Sequence, residues 1–371
     1  MPGQLFVMWR TASVLVGVTL ILTTLGFIML ASTSSAHALL QTGDAHFYVK
    51  RQALALALAL VMGYCATRID YDIWQRVAIP LALITIVLLI LALTPVVGVR
   101  VGGSNRWVRF GPFNFQPSEL GKLSAIILMA WYMARSQRVV KSLGRGLLLP
   151  LIILGSIIGL IFIAPDFGTT MLVGVVGMAI MFAGGSRISY LAVTAAIGLC
   201  SFVLAVMHDP VRMRRVIAFR DPEQYAAAEG YQLLNAIYAF VIGGASGVGL
   251  GQSVQKRFYL PESHTDFIFA IIGEELGLIA SLSVVLLFGV FFVAGMRVAM
   301  ATKDQFGRLL ALGITLMITL QGAFNIAVVT GAVPTKGLPL PFISYGGSSI
   351  LLSFIMVGIL VNVALNAETD E

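Results

Sequence analysis

The sequence is poor in charged residues. Only 11% of its 371 residues are Asp, Glu, Lys or Arg, whereas 58% are hydrophobic. A soluble protein usually carries about 25% charged residues, so this composition argues against a water-soluble globular protein. Apolar runs of about 17–25 residues, long enough for a helix to cross a bilayer, recur along the chain. Because the alternating pattern of a membrane barrel is missing, we expect an all-α polytopic membrane protein.

Cysteine is equally scarce, and the chain contains only Cys65 and Cys200. Both lie inside apolar runs, and neither has the spacing of a metal-binding or redox motif. We therefore expect two small, buried core residues and no structural metal site. The first apolar run lacks a small-residue cleavage site, which predicts a retained membrane helix rather than a removed signal peptide. No internal repeat indicates the inverted halves of many transporters.

The hydropathy pattern predicts a bundle of ten transmembrane helices in one domain, residues 1–371. A long extracytoplasmic loop, about 208–265, precedes the eighth helix. One segment, 233–251, is ambiguous: it is uncharged and almost long enough to span, but its many glycines are typical of a broken or surface-lying segment. The predicted spans are 11–32, 52–67, 77–95, 119–134, 147–164, 168–184, 188–207, 266–296, 307–331 and 345–366.

Lys and Arg in short loops predict the orientation of a membrane protein. With the N-terminus inside, eleven of these residues lie on the inner side and seven on the outer side. This excess favours a multi-pass protein of the cytoplasmic membrane with both termini in the cytoplasm. The seven outer cations are not accounted for by orientation.

Some of those cations stand beside aromatic and turn-forming residues. Arg106, Trp107 and Arg109 lie between the glycines and prolines of residues 100–122, and Lys336 lies in the proline-rich segment 331–349. Arg and Lys commonly bind phosphate oxygens, so this pattern favours an anionic, amphipathic ligand. The alternative is simple contact with lipid headgroups.

The stretch "YLPESHTDFIFAIIGEELG", Tyr259 to Gly277, concentrates several acids, namely Glu262, Asp266, Glu274 and Glu275, in a chain that is poor in charge. Asp266 is either a functional acid or a helix-capping residue, because the spacing from Ser263 to Asp266 also matches a helix capping box. Glu274 lies about 12 Å farther along a helix, so a close carboxylate pair of the glycosidase kind is not expected. Acids this deep in a span usually need a basic partner or a wet cavity.

Four stretches then resemble the SEDS family, the bacterial shape, elongation, division and sporulation proteins. They are "NRWVRFGPFNFQPSELGKL", "APDFGTT", "GLGQSVQKRFYLPESHTDFIFAIIGEELG" and "VPTKGLPLPFISYGGSS". The similarity extends over nearly the whole chain, and it is greater to the division branch of the family than to the elongation branch.

The resemblance implies a peptidoglycan glycosyltransferase that polymerises lipid II at the outer face of the cytoplasmic membrane and releases undecaprenyl pyrophosphate. It implies a class B penicillin-binding protein, a transpeptidase, and other divisome proteins as partners, with membrane lipid and no nucleic acid. The family's essential acid corresponds to Asp266, and Glu119 and Lys122 would line the cavity. No acidic cluster marks a fixed metal site, so Mg²⁺ or Mn²⁺ is the one cofactor type to consider, as a counter-ion of the diphosphate.

We therefore predict Asp266 as the catalytic base. The predicted substrate-binding residues are Arg106, Trp107, Arg109, Glu119, Lys122, Lys256, His264 and Lys336. Two other classes remain open: a lipid II flippase and a scaffold for division proteins. A lipid II polymerase that acts in elongation is a third alternative.

Overall fold

The computed structural model describes residues 2–95, 97–101, 104–110, 113–257 and 259–367. Within these ranges the chain is mostly helical, with one small sheet. The helices are α1 (Pro2–Thr42), α2 (Phe47–Arg68), α3 (Tyr71–Arg76), α4 (Ala78–Leu93), α5 (Pro117–Arg135), α6 (Leu149–Ile163), α7 (Phe167–Ala183), α8 (Ile188–Met207), α9 (Pro210–Arg220), α10 (Tyr231–Gly243), α11 (Ile268–Ala301), α12 (Gln305–Val329) and α13 (Gly347–Asn366). A π-helical turn, Gly144–Leu148, leads into α6. The strands are β1 (Gly98–Val101), β2 (Ser104–Phe110) and β3 (Phe113–Phe115).

Each of the ten predicted spans coincides with a helix. Seven helices of the described chain are long and apolar enough to cross a membrane, while α4 and α7 are shorter apolar helices. The remaining predicted span, α5, contains Glu119, Lys122 and Arg135. The prediction of an all-α polytopic membrane protein is therefore confirmed.

Local sequence sets where several helices begin. The side chain of Asp166 accepts a hydrogen bond from the Thr169 backbone N–H at the start of α7. Asp304 does the same for Gly307 at the start of α12. These acids accept hydrogen bonds from backbone N–H groups that have no partner within the helix, and their negative charge interacts favourably with the positive end of the helix dipole.

The spanning helices run alternately up and down, so that their connecting loops collect at two ends of the bundle. At one end, Gln116 N–H donates to Ser348 Oγ (3.1 Å) and Ser118 Oγ donates to Asp166 Oδ2 (3.0 Å). At the other end, Gln137 Nε2 donates to the Gly184 carbonyl (3.0 Å). We call the first end the site face; its loops are 43–46, 94–116, 164–166, 208–267 and 330–346.

The ambiguous segment 233–251 does not cross the bundle as a single helix. It forms α10, of 13 residues, and then a glycine-rich turn that packs on α11. Val248 N–H donates to the Glu274 carbonyl (3.0 Å), and Leu278 N–H donates to the Gly244 carbonyl (3.0 Å). Between these bonds α11 is kinked at Gly277, where φ is 78°, a value that suits glycine.

The antiparallel sheet β1-β2-β3 was not predicted from the sequence, where only turns were expected in this segment. Val108 of β2 is fully buried. Because side chains alternate along a strand, Arg106 shares its face with Val108, whereas Trp107 and Arg109 belong to the opposite face. The sheet therefore separates cations that the sequence had grouped together.

The prediction that Cys65 and Cys200 are buried core residues is wrong. Both are free thiols on exposed helix surfaces. Their helices α2 and α8 also expose large apolar side chains, such as Leu58 and Leu199. In a bilayer these surfaces contact lipid, which is as apolar as a protein core, so hydropathy cannot separate the two locations.

Candidate functional site

Asp266 lies in the loop immediately before α11, on the site face. The helix begins at Ile268, its N-cap position is Phe267, and no side chain caps it. The capping interpretation of Asp266 is therefore not supported. Its main chain is held instead by α12, because Asn325 Nδ2 donates to the Asp266 carbonyl (2.7 Å).

Burial raises the pKa of the Asp266 carboxyl from 3.8 to about 7. The negative charges of Glu262 and Asp166 raise this pKa further, while Arg106 lowers it. Desolvation and neighbouring acids both disfavour the charged form of a carboxyl group, which explains the direction. The result is a carboxyl group whose protonation changes near neutral pH, as a general base requires.

Two cations of the site face share one aromatic ring. The guanidinium carbon of Arg212 lies 3.3 Å from the centroid of Phe167, and Lys336 Nζ lies 4.8 Å from it. Arg212 also forms an ion pair with Asp209 (3.0 Å). The ring attracts both cations through its electron-rich face.

Lys336 precedes Gly337, whose main chain lies against the Asp266 carboxylate. Its Nζ is buried without a hydrogen-bond partner among the described residues. Burial lowers the pKa of Lys336 from 10.5 to about 7; Asp166 opposes this shift, whereas Arg212, Arg215 and Arg106 add to it. A buried ammonium group in this condition gains free energy when an anion reaches it.

Asp166 connects this cation cluster to the membrane helices. It is 3% exposed, accepts the hydrogen bond from Ser118 already described, and begins α7. The sequence contained it in "APDFGTT", but gave no reason to assign it a role. Its charge acts on both Asp266 and Lys336 and raises the pKa of each.

His264 belongs to a group of aromatic rings beside Asp266. Its ring centroid lies 4.9 Å from that of Tyr48, 5.5 Å from that of His37 and 5.9 Å from that of Tyr345. Burial lowers the pKa of His264, and Glu262 opposes that shift. The ring is therefore favoured in its neutral form, in which it can both donate and accept a hydrogen bond.

Glu119 and Lys122 form a buried ion pair rather than a surface pair. Lys122 Nζ lies 2.8 Å from Glu119 Oε2, and the two side chains are 1% and 3% exposed. Lys122 also donates to Gln321 Oε1 (2.7 Å), and Gln321 Nε2 donates to the Pro339 carbonyl (2.8 Å). The pair therefore reaches the site face through α12 and the 330–346 segment.

Lys256 lies in a different set of contacts from Asp266. Its Nζ forms an ion pair with Glu275 Oε1 (2.7 Å) and donates to Ser32 Oγ (2.9 Å). Glu274 beside it accepts from Val254 N–H (2.8 Å) and from Ser253 Oγ. Both acids of α11 thus find partners in the loop before it, and Lys256 serves there as a counter-charge.

The structure places four of the predicted site residues on the site face: Asp266, His264, Lys336 and Arg106. Arg109 is exposed, and Trp107 Nε1 is buried without a hydrogen-bond partner in the described part of the chain. Sequence reasoning missed Asp166, Phe167, Arg212, Gln321, Asn325 and Gly337. Of these, Arg212 carried a signal, since it stands in the cation-rich loop 208–264.

Among the described residues, no group of three or more His, Cys, Asp or Glu side chains is arranged to hold a metal ion. Of the cations on this face, Arg106 acts on both Asp266 and Lys336, whereas Arg212 acts on Lys336. The described site combines the Asp266 carboxyl with Arg106 and with the Arg and Lys side chains around Phe167, an arrangement suited to proton transfer next to a bound anion.

Comparison with known proteins identifies the family of this chain. A family model described as cell cycle protein, FtsW/RodA/SpoVE, matches residues 12–369. A Trichlorobacter lovleyi protein named probable peptidoglycan glycosyltransferase FtsW is 41% identical over 92% of this chain and 90% of its own length. The stage V sporulation protein E of Bacillus subtilis is 40% identical over 94% of this chain and 96% of its own length.

Two solved structures have the same fold. One belongs to a peptidoglycan synthase complex described as coordinating polymerization and crosslinking; it is 26% identical, covers 96% of this chain and 98% of that chain, and has a TM-score of 0.78. The other is the rod shape determining protein RodA of Thermus thermophilus, at 24% identity, with 96% and 97% of the two chains covered and a TM-score of 0.71. The predicted SEDS resemblance is confirmed, and the chain belongs to the FtsW/RodA/SpoVE family of cell cycle proteins.

Proposed function

We propose that this protein is a peptidoglycan glycosyltransferase that polymerises lipid II into glycan strands, at the outer face of the cytoplasmic membrane and during cell division. The names of the 41% and 38% identical relatives, from T. lovleyi and Coxiella burnetii, support this activity and the division role. The observation that carries the proposal is the partly buried Asp266 carboxyl, which lies against Gly337 and is influenced by Arg106. Lys336, the residue before Gly337, has a buried ammonium group without a hydrogen-bond partner among the described residues.

In the reaction, the growing strand is the donor and the 4-hydroxyl group of the incoming lipid II is the acceptor. The acceptor oxygen forms a bond with C1 of the donor sugar, while the bond from C1 to the diphosphate oxygen breaks. The hydroxyl proton passes to the Asp266 carboxylate. Attack opposite the leaving group inverts C1 and produces a β-1,4 linkage.

The departing diphosphate carries the negative charge that develops in the transition state. Arg106, Arg212 and Lys336 are the cations of the described site that would stabilise it. Preorganised charges of this kind act strongly in a partly dehydrated site. A divalent cation such as Mg²⁺ or Mn²⁺, if bound to the diphosphate, would supply further positive charge there, since Mg²⁺ prefers phosphate oxygens as ligands.

The other parts of the substrate have matching surfaces nearby. The rings of His264, Tyr48 and Tyr345 would contact the sugars, since aromatic rings offer an apolar face with polar edges. The apolar outer surface of the helices would contact the prenyl chain within the bilayer. Glu119 and Lys122 support the site from inside rather than touch the substrate.

The orientation follows from the proposal that the site face is extracytoplasmic. The loops that the charge distribution placed outside are the loops of this face, so both lines of reasoning agree. Labelling of intact cells by an impermeant thiol reagent tests it, using the exposed positions Gln224→Cys and Arg138→Cys in a Cys65→Ala, Cys200→Ala background. We expect labelling at Gln224→Cys alone, and labelling at Arg138→Cys alone would reverse the topology.

A class B penicillin-binding protein is the proposed partner, and the fold match to a peptidoglycan synthase complex supports it. The decisive experiment supplies the purified protein and this partner with lipid II in detergent, and measures polymer on a gel. Polymer supports the enzyme. A parallel assay uses the protein in lipid vesicles: movement of lipid II across them without polymer would indicate a flippase, and neither activity would indicate a scaffold.

A further inference from the structure

The Asp266 carboxylate lies directly against the main chain at Gly337. A Cβ atom placed on Gly337 would overlap Asp266 Oδ2 and would lie 2.9 Å from its Cγ. The three nearest atoms to such a Cβ all belong to the Asp266 carboxylate group. The space that this carboxylate occupies therefore exists only because residue 337 has no side chain.

The backbone itself would accept another residue at this position. Gly337 is not among the glycines with φ in the left-handed region, unlike Gly331 in the same segment. An alanine at 337 is thus free of backbone strain, and contact with Asp266 is its principal cost. This separates Gly337 from glycines that are needed for a turn.

Hydrogen bonds hold the segment that carries Gly337 close to Asp266. One amide group, Asn325 Nδ2, donates both to the Asp266 carbonyl (2.7 Å) and to the Leu338 carbonyl (2.6 Å). Asn325 is 1% exposed. The loop before α11 and the 330–346 segment are therefore held against each other at the residues flanking the contact.

Two further bonds close the same junction on its other side. Ser344 Oγ donates to the Thr265 carbonyl (2.6 Å), and Tyr345 N–H donates to the His264 carbonyl (3.0 Å). With both main chains fixed in this way, added volume at residue 337 displaces the short Asp266 side chain rather than the loops.

We propose that Gly337 is a positioning residue for the reaction, and that it holds the Asp266 carboxylate at the acceptor hydroxyl by leaving room for it against a clamped main chain. The proposal rests on the proposed role of Asp266 as base. Gly337 itself does not contact the substrate. A displacement of about 1 Å in a reacting group costs on the order of 10²-fold in rate, which sets the expected effect.

The matched comparison is Gly337→Ala against Gly347→Ala. Gly347 follows the same segment, and a Cβ there would meet only Ala55, at an ordinary contact distance of 3.5 Å. We expect Gly337→Ala to lower kcat for polymerisation by about 10²-fold, with KM for lipid II changed less than about threefold. Gly347→Ala should keep both constants near the wild-type values.

The pH profile distinguishes displacement from general damage. A carboxylate moved out of its enclosed place is better hydrated, so the residual activity of Gly337→Ala should reach half its maximum at a lower pH than the wild type. The other charged groups acting on Asp266 are Glu262, Arg106 and Asp166, and the substitution leaves all three in place. A purely structural defect would lower activity without this shift.

Thermal unfolding gives a readout independent of activity. If Gly337→Ala lowers Tm, the loss should disappear in the Asp266→Ala background, because that change removes the atoms that the new Cβ would meet. An equal Tm loss in both backgrounds would overturn the proposal, as would wild-type kcat in Gly337→Ala. An active Asp266→Asn enzyme would instead refute the base role of Asp266, which is a different failure.

Discussion

The substitution Asp266→Asn tests the proposed chemistry most directly, because it removes the proton acceptor while conserving the size of the side chain. A general base contributes about 10²–10⁴-fold to a reaction rate, so polymer formation should fall by at least about 10²-fold at pH 8. The main-chain bond from Asn325 to the Asp266 carbonyl does not involve the substituted group. The variant should therefore fold and insert normally.

The same substitution should make the folded protein more stable, not less, at high pH. Burial raises the pKa of Asp266 from 3.8 to about 7 in the folded protein. The protonated form of Asp266 therefore contributes its full stabilisation of the fold below about pH 4, and this contribution is lost as the pH rises through 7. Three pKa units correspond to about 4 kcal/mol. Since the side chain is partly exposed, water reduces this, and we expect a gain of about 1–3 kcal/mol for the variant.

The assay pairs polymer length on a gel with Tm measured between pH 5 and pH 8. The difference in Tm, variant minus wild type, should grow across this range. Glu262→Gln is a suitable control, because it removes a nearby exposed acid and should remain active at pH 8. Wild-type polymer from the folded Asn variant would refute the base role, and a Tm difference independent of pH would refute the electrostatic reasoning.

Three other predictions concern the charges around this site. Glu262→Gln should lower the pKa of Asp266, since Glu262 raises it, and so move the acidic half-maximum of polymerisation below the wild-type value in a pH–rate profile. Lys336→Met should raise KM for lipid II about tenfold or more with a small change in Tm, because it removes an unpartnered buried ammonium group; an unchanged KM would remove Lys336 from the substrate site. Lys256→Met should cost about 3–5 kcal/mol of stability, because it leaves the buried Glu275 carboxylate without its ion-pair partner, and KM for lipid II should not change. Adding Glu275→Gln should then recover part of the lost Tm. A raised KM at normal Tm would instead indicate that Lys256 binds the substrate.

Hydropathy alone was sufficient to locate ten helices of the described bundle. Each predicted span coincides with a helix because a segment that crosses lipid must satisfy its backbone hydrogen bonds internally. Hydropathy did not show which apolar side chains are buried in the protein, because lipid is as apolar as a protein core. Cys65 and Cys200 have the same apolar surroundings in sequence whether they face lipid or the core, and both proved exposed.

For the site, the sequence predicted several of the residues but not which charged groups pair with each other. Asp266, His264, Arg106 and Lys336 were predicted from composition and from family motifs, and the structure places them on one face. Lys256 was also predicted as a ligand of the substrate, yet its ammonium group pairs with Glu275. A sequence motif does not show which group a charged side chain will pair with, because the partner lies on another part of the chain.

The sequence by itself therefore determined the membrane architecture, the alternation of the helices and the family of this protein, because each depends on local length, hydropathy and motif identity. Only the tertiary structure decided which charges meet. Asn325 and Asp266 are 59 residues apart in the chain, and their hydrogen bond exists because α12 passes beside the start of α11. The neutral-range pKa of Asp266 likewise arises from burial and from charges on separate loops, which no local pattern of residues encodes.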